Sequence, residues 1–547
     1  MAPESPPSPR PRRHPYWTLP AFLILISVPT TWALIALGTL ITVSYGVPAL
    51  RRAAQRSAER TAVTAPGTVR LGTGERGRAV VLAEEQLAAH GLIVGASGAG
   101  KSTTMLRLLS EHIAQGRPVV ALDLKGSPQF VRALEAATLQ AGRPFLLWTP
   151  EGPHRWNPLA HGNPTELKDK LIRTERFSEP HYLRAAERYV QTALQVLKAT
   201  GIEPSLAGVV ALMEPRRLAA AARRLPGSQA EHSAHGVHAE RVQDYLSGLT
   251  ADQLSAVRGL GTRLALLSEG SAGEFLTPGP GAIDLRRALE GPEVVLFSLN
   301  SSRYAQLAAQ LGTLAIQDLV AASGHRLEAM GDGPRPLATV AVDEFSAIGS
   351  DQLLALLARG REAGVSTLVA TQELSDLDRA ARGFRDQVLG LTALKIVHRQ
   401  DVPSSAQTIA ELAGTERVWE QTEQLRGLFA PAGASRGSRR EVERFRVHPN
   451  EVKTLPTGHA VMLTKVPTAQ IVRVRIDPPA GPASARPPTR APAPAPGQDQ
   501  RPVLAPQLSP GMAEPRNRGT RGASRQSSPA RDGPTGRGDQ PEPGVTR

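Results

Sequence analysis

Three observations predict an α/β chain whose nucleotide-binding core is interrupted by a helical insertion. Short apolar runs such as "GLIVGA" and "PVVALDL" alternate with helical patterns over residues 91–175, as buried parallel strands do. A glycine-rich turn joins one such strand to a helix at "GLIVGASGAGKSTTM", residues 91–105. A second apolar run, "PLATVAVDEF", ends in paired acids; Lys101 and Asp343 are more than 240 residues apart. A whole further unit must lie between them.

The 547 residues allow two or three domains, and 41% hydrophobic content can bury a large core. The formal charge of +14 is concentrated at the ends. Residues 1–60 hold seven Arg and two Glu, and residues 481–547 hold ten Arg and five acids. Each end therefore carries about +5, and the middle is near +4. Basic ends suit solvated tails or contact with anionic lipid or nucleic acid. With no cysteine, disulfides and thiolate-ligated zinc are excluded.

Taken in order, residues 1–14 are polar, Pro/Arg-rich and expected to be disordered. Residues 15–50 carry no Asp, Glu, Lys or Arg. This run is too long for one upright membrane helix of ~20 residues and short for two. Pro29-Thr30-Thr31 breaks it, and arginines flank it at 10, 12, 13 and at 51, 52, 56, 60. Positive charge on both sides favours a transmembrane hairpin over a single kinked span. "VRLGTGERGRAVVL" reads as a small β-hairpin leading into the core.

The first part of the nucleotide-binding domain is expected at 61–178. Residues 179–278 change character: "PHYLRAAERYVQTALQVLKA" has apolar positions at helical spacing, and an all-α insertion is expected. Strand and helix alternation should return at "PEVVLFSLN" and run through 279–477 as the second part of that domain. Residues 478–547, opening "PPAGPASARPPTRAPAPAPG", cannot bury enough apolar surface to fold alone.

The candidate site begins at Gly95-Ala96-Ser97-Gly98-Ala99-Gly100-Lys101-Ser102, followed by Thr103. Glycines let backbone N–H groups converge on phosphate oxygens, and the helix N-terminus adds its dipole. Lys101 should reach the β- and γ-phosphates of ATP, and Ser102 should ligate Mg²⁺. Asp343 should hold the Mg²⁺ shell, and Glu344 should polarise the attacking water. "GVSTLVATQ" delivers Gln372 to a strand end, where it can sense the γ-phosphate or position the water. Arg359 and Arg361 in "LLARGREAGV" suit either an arginine finger across a subunit interface, with Arg361 as the candidate, or a solvated helix face. Arg399 in "LKIVHRQD" is a weaker candidate. Asp123 and Lys125 sit at a strand end near the loop, suited to nucleotide, a neighbouring subunit or a salt-bridged turn.

Some classes are set aside. No LSGGQ-like signature is present, which excludes an ABC transporter ATPase. A kinase or small GTPase would place its magnesium aspartate much closer to the P-loop. With these motifs stand "VVALDLKG", "RWNPLA" at 155–160, "SEPHYLRAAERY", "VVLFSLNSSRYAQLAAQLGTLAIQDL", "AVDEF", "GREAGVSTLVATQ", "HRQDVPSSAQTIAELAGTERVWEQT" and "FRVHPNEVKTLPTGHAV". In this order, over roughly residues 15–475, the chain resembles type IV secretion coupling proteins, the TraG/TraD-like branch of the FtsK–HerA motor superfamily.

The resemblance implies a RecA-like P-loop NTPase core and a homo-hexameric ring on the cytoplasmic face of the cell (inner) membrane. It implies ATP-driven passage of DNA during conjugation. The implied partners are the relaxase of the relaxosome and type IV secretion channel proteins. One departure is that family members often have a longer periplasmic segment between two spans. Two other readings stay open: a motor of the same superfamily with protein cargo, and a nucleotide-dependent membrane scaffold.

Overall fold

The computed structural model describes residues 67–175, 179–225, 239–329, 336–348, 350–423 and 437–479. The expected membrane segment 15–50, the stretch 1–14 and nearly all of the tail 478–547 lie outside the described residues. Among the described residues, no helix is long and apolar enough to cross a membrane.

Strands β1 (Val69–Gly74) and β2 (Ala79–Leu82) pair antiparallel, forming the hairpin expected there. Strands β3 (Gly91–Val94), β4 (Val119–Asp123) and β5 (Phe145–Trp148) then alternate with helices Lys101–Ala114 and Pro128–Gln140. Between β5 and the next strand, β6 (Val294–Ser298), lie helices that include Pro180–Ala199, Leu206–Leu212, Pro215–Arg223, Ala239–Ser247 and Ala251–Ser268. A long helix, Ala305–Glu328, leads to β7 (Ala338–Asp343). Then come β8 (Val365–Thr371) and β9 (Leu394–Val397), with helix Ser350–Gly360 before β8.

The alternation expected up to residue 477 stops after helix Pro403–Ala413. The next strands, β10 (Thr415–Glu423) and β11 (Gly437–Phe445), form a separate antiparallel ribbon. Charged side chains of both signs crowd the two strands, among them Glu416, Arg417 and Glu420 on one and Arg439, Arg440, Glu441, Glu443 and Arg444 on the other, which suits a ribbon open to water and not a buried parallel strand. β12 (His459–Thr464) and β13 (Gln470–Ile476) then return antiparallel to the main sheet.

The main sheet has the order β2-β1-β13-β12-β9-β3-β8-β7-β4-β6-β5. From β9 to β5 every neighbouring pair is parallel. Alternate side chains of each strand enter opposite cores, because the strand repeat is two residues. Leu92, Val94, Val120, Leu122, Val340 and Val342 pack on one face. Ile93, Val119, Ala121, Ala341 and Leu368 pack on the other, against Met105, Leu108 and Leu109 of helix Lys101–Ala114.

The helical segment shares the first of these cores. Tyr189, Val190, Ala193, Leu194 and Leu197 lie among Leu206, Val209, Leu260 and Leu264, and the Tyr189 hydroxyl donates to the Leu212 carbonyl at 3.0 Å. The "RWNPLA" stretch ties these helices to the sheet. Trp156 stands edge-on to Trp148 and Phe297, at ring distances of 5.9 and 5.0 Å. Its Nε1 donates to Asp318 Oδ2 at 3.1 Å. Asp318 Oδ1 accepts from the buried Lys170 ammonium at 2.7 Å, which also donates to the carbonyls of Pro158 and His161. Asn157 donates to Glu203 and to the Pro204 carbonyl.

His112, buried on the underside of the P-loop helix, shares a hydrogen bond of 2.6 Å with Thr339. Its Nε2 is buried with no partner. Burial, with Arg117 adding to it, holds its pKa at about 3. The unfolded chain takes up a proton below pH ~6.5 that the folded chain refuses, so stability falls as pH drops through this window. At pH 5 the loss from this residue is about 2 kcal/mol. Urea unfolding at pH 7 and pH 5 checks this: His112→Asn should flatten the difference by that amount.

Candidate nucleotide and catalytic site

The parallel strands set the site, because all of them end on the same edge. β3 lies between β8 and β9, and β7 between β8 and β4. The register puts Asp123, Asp343 and Ala370 in one row. Residues just past this row are presented on the sheet's carboxyl edge, where such sheets place their ligands.

Past β3 the chain turns tightly through Gly98 (φ +73°) and Gly100 (φ +119°) into helix Lys101–Ala114. A side chain at either position would be strained. Gly95 is required for a different reason: a Cβ there would lie 2.5 Å from the Cβ of His398. Ala96 and Ala99 are buried, Ser97 and Gly98 exposed, and Thr103 exposed on the first helical turn. The loop is braced by its neighbours. Gly95 N–H donates to Thr371 O at 3.3 Å, Ala96 N–H to Arg399 O at 2.7 Å, and Gly458 N–H to Ala99 O at 3.0 Å.

The buried Lys101 ammonium donates to the carbonyls of Gly95 and Ala96. Its pKa is lowered by burial and then by the nearby Lys125, against the pull of Glu344, Asp343 and Glu373. The Ser102 hydroxyl donates to Asp343 Oδ2 at 3.2 Å. The other oxygen, Oδ1, is buried with no hydrogen-bond partner. Burial raises the Asp343 pKa, and Lys125 is the largest opposing influence. A hydroxyl beside a carboxylate oxygen with no donor fits the protein's share of a Mg²⁺ shell, since that ion keeps waters and phosphate oxygens as its other ligands. Among the described residues, no cluster of three or more His, Asp or Glu could hold a metal by itself.

Glu344 sits in a left-handed conformation (φ +62°, ψ +41°) just past β7. For a non-glycine residue this costs roughly 1–3 kcal/mol and persists only where the surroundings fix it. Here both carboxylate oxygens are held. Gln372 Nε2 donates to Oε1 at 2.8 Å. The Lys125 ammonium lies 2.8 Å from Oε2. Asp123, behind them, accepts from the backbone of Lys125 at 3.0 Å and of Ser127 at 2.6 Å. Burial raises its pKa to about 6.

The structure thus brings the P-loop residues, Asp343, Glu344 and Gln372 together, with Asp123 and Lys125 among them. It does not bring Arg361 to them. Arg361 lies in the turn before β8, and Ala338 at the start of β7 pairs with Val365. Its backbone is therefore at the amino edge, about 20 Å along the strands from the site. Arg359 is at the same edge, exposed at the end of helix Ser350–Gly360. The arginine whose backbone touches the P-loop is Arg399, whose side chain pairs with Asp401 at 3.0 Å.

Two further residues at the site were not singled out in the sequence. His398 supports the P-loop from below: Nε2 is 2.8 Å from Thr104 Oγ1, and Nδ1 donates to the His459 carbonyl at 2.9 Å. Burial holds its pKa at about 4, so it is neutral at pH 7. Gln400, fully buried, donates to the carbonyls of Gln372 and Arg399. Both follow β9 in "HRQD", and only the adjacency of β9 to β3 shows their place.

Comparison with known proteins agrees with this architecture. Residues 338–457 match the family model described as the TraM recognition site of TraD and TraG, and residues 50–128 match that of the FtsK/SpoIIIE family. No curated protein matches the sequence. Among solved structures, the bacterial conjugative coupling protein TrwBdeltaN70, unbound, is similar with a TM-score of 0.54 at 13% identity, over 77% of this chain and 90% of that one. The plasmid coupling protein TrwB in complex with ADP and Mg²⁺ gives 0.53 at 15% identity, over 77% and 92%. TrwB with the non-hydrolysable ATP analogue ADPNP gives 0.51 at 14%, over 77% and 91%. These likenesses show a shared fold. With the two family models, they make this chain similar to TraG/TraD-like coupling proteins of the FtsK–HerA superfamily.

Proposed function

We propose that this chain is a P-loop ATPase that couples ATP hydrolysis to DNA transfer, as a membrane-anchored coupling protein between a relaxosome and a type IV secretion channel. The observation that carries the ATPase reading is the direct Ser102–Asp343 contact, with Glu344 and Gln372 hydrogen-bonded beside it. The coupling role is supported by the TraD and TraG family model and by the TrwB fold. ATP and Mg²⁺ are the expected cofactors, as ADP with Mg²⁺ and ADPNP are bound in the TrwB structures.

The P-loop N–H groups and Lys101 hold the phosphates. Ser102 and Asp343 would hold Mg²⁺, which would supply charge neutralisation at the phosphates. Glu344 and Gln372 orient a water in line with the γ-phosphorus. The water oxygen bonds to phosphorus as the bond to the bridging oxygen breaks, that electron pair leaving on ADP. The water's proton passes to Glu344. Arg361, remote from its own site, would serve a neighbour's site in a homo-hexamer. The N-terminal segment would place this motor on the cytoplasmic face of the cell membrane.

The test is the ATPase rate of the full-length chain with and without single- and double-stranded DNA, with Lys101→Ala as the blank. DNA should stimulate turnover severalfold, and Lys101→Ala should show none. Turnover above the blank that DNA leaves unchanged would reject the DNA cargo and favour a protein one.

A further inference from the structure

Glu344 is restrained at both of its carboxylate oxygens. A carboxylate that orients and deprotonates water needs an oxygen lone pair facing that water. Here Oε1 receives Gln372 and Oε2 receives a full positive charge from Lys125, each at 2.8 Å. Each carboxylate oxygen has two acceptor sites, so these groups restrain the carboxylate without filling it; moving one of them away opens that oxygen fully to a water.

The geometry indicates which. Gln372 follows directly from β8 in the middle of the sheet, between the P-loop strand and the Asp343 strand. Lys125 extends from a short turn past β4 on a flexible four-carbon stem, and its side chain is 36% exposed against 17% for Glu344. The turn beneath it is rigid. Asp123 accepts two of its backbone N–H groups, and Gly126 (φ +67°) packs so tightly on Asn300 that a Cβ would lie 2.6 Å from it. The root of the lysine is fixed while its tip can move.

Lys125 also stands beside the P-loop: it pairs with Glu344, the residue after the Asp343 that accepts from Ser102 of the loop. An ammonium so placed beside a phosphate-binding loop is set to meet an anion bound there. Lys101 belongs to the P-loop, so that anion is the terminal phosphate of a bound nucleotide.

We propose that Lys125 is a positioning residue that senses the γ-phosphate: it restrains Glu344 until ATP binds, then moves to a γ-phosphate oxygen and frees Oε2 for the attacking water. ADP lacks this partner and leaves the Lys125–Glu344 pair closed. The site is therefore restrained when empty or holding product, and set only by the substrate. This inference rests on the ATPase reading above.

The experiment measures equilibrium binding of ADP and of ADPNP, each with Mg²⁺, to the full-length chain and three variants. Lys125→Ala should keep its ADP affinity and lose about ten- to hundredfold in ADPNP affinity, the range for one charge-assisted hydrogen bond. Lys125→Arg should recover most of that preference. Glu344→Gln, which removes the rival anion, should raise the preference for ADPNP over ADP. A structural lysine would lower both affinities together, and opposite movements of the ratio in the two variants would not occur. Equal ratios in wild type, Lys125→Ala and Glu344→Gln overturn the proposal. Hydrolysis is followed in parallel: if Glu344→Gln still turns over ATP at the wild-type rate, the catalytic reading itself is what fails.

Discussion

Glu344→Gln should bind ATP and leave it intact. Glutamine keeps the shape and the hydrogen bond to Gln372 but accepts no proton from water. Loss of a general base costs about 10²–10⁴-fold in rate, and single-turnover hydrolysis measured by product release at saturating ATP is the assay. The P-loop, Lys101, Ser102 and Asp343 are untouched, so nucleotide affinity should not fall. With hydrolysis blocked, ATP-bound rings should accumulate, which sedimentation can follow. A rate within twofold of wild type would place the base elsewhere and leave the left-handed strain at Glu344 without a catalytic purpose.

Asp318→Ala should strongly destabilise the described fold. Asp318 is the common anchor of the Trp156 indole and the Lys170 ammonium, and both side chains of the ion pair are at most 9% exposed. Removing the acid leaves a positive charge in a dry site with only two carbonyls facing it. Breaking a buried pair in this way costs about 3–5 kcal/mol. The urea midpoint of the full-length chain should drop accordingly, with the helices between β5 and β6 loosening from the sheet first. Adding Lys170→Met should recover part of the loss, since the stranded charge is what costs most. A double variant no more stable than Asp318→Ala would shift the cost to the Trp156 contact.

Much of the site could be read before any coordinates, and the reason is local. A P-loop is a contiguous stretch whose glycines and lysine have one physical use, and acids at the end of an apolar strand have few others. Gln372 was legible for the same reason. The long-range partners were not. Lys125 meets Glu344 because β4 lies beside β7, and His398 lies under Gly95 because β9 lies beside β3. Strand order is set by how helices and strands bury their apolar faces together, and no short window encodes it. The ribbon β10–β11 lies where continued strand and helix alternation is expected. Its density of charged residues is the available signal. Arg361 lies eleven residues before Gln372, and the strand between them sets it at the opposite edge of the sheet, away from its own site, as a finger reaching a neighbouring subunit would be.

The order of strands in the sheet has a consequence for the newly made chain. β3, an early segment to leave the ribosome, is completed on its two sides by β8 and β9, made some 270 and 300 residues later. The P-loop is then braced by Gly458, and β13 closes onto β1 near the end of the described chain. A nascent protein cannot assemble its phosphate cradle until the chain has been made past Gly458 and β13. Such distant pairings fold slowly. The expectation is a protein that stays unable to consume ATP throughout synthesis and becomes competent only once β12 and β13 are released.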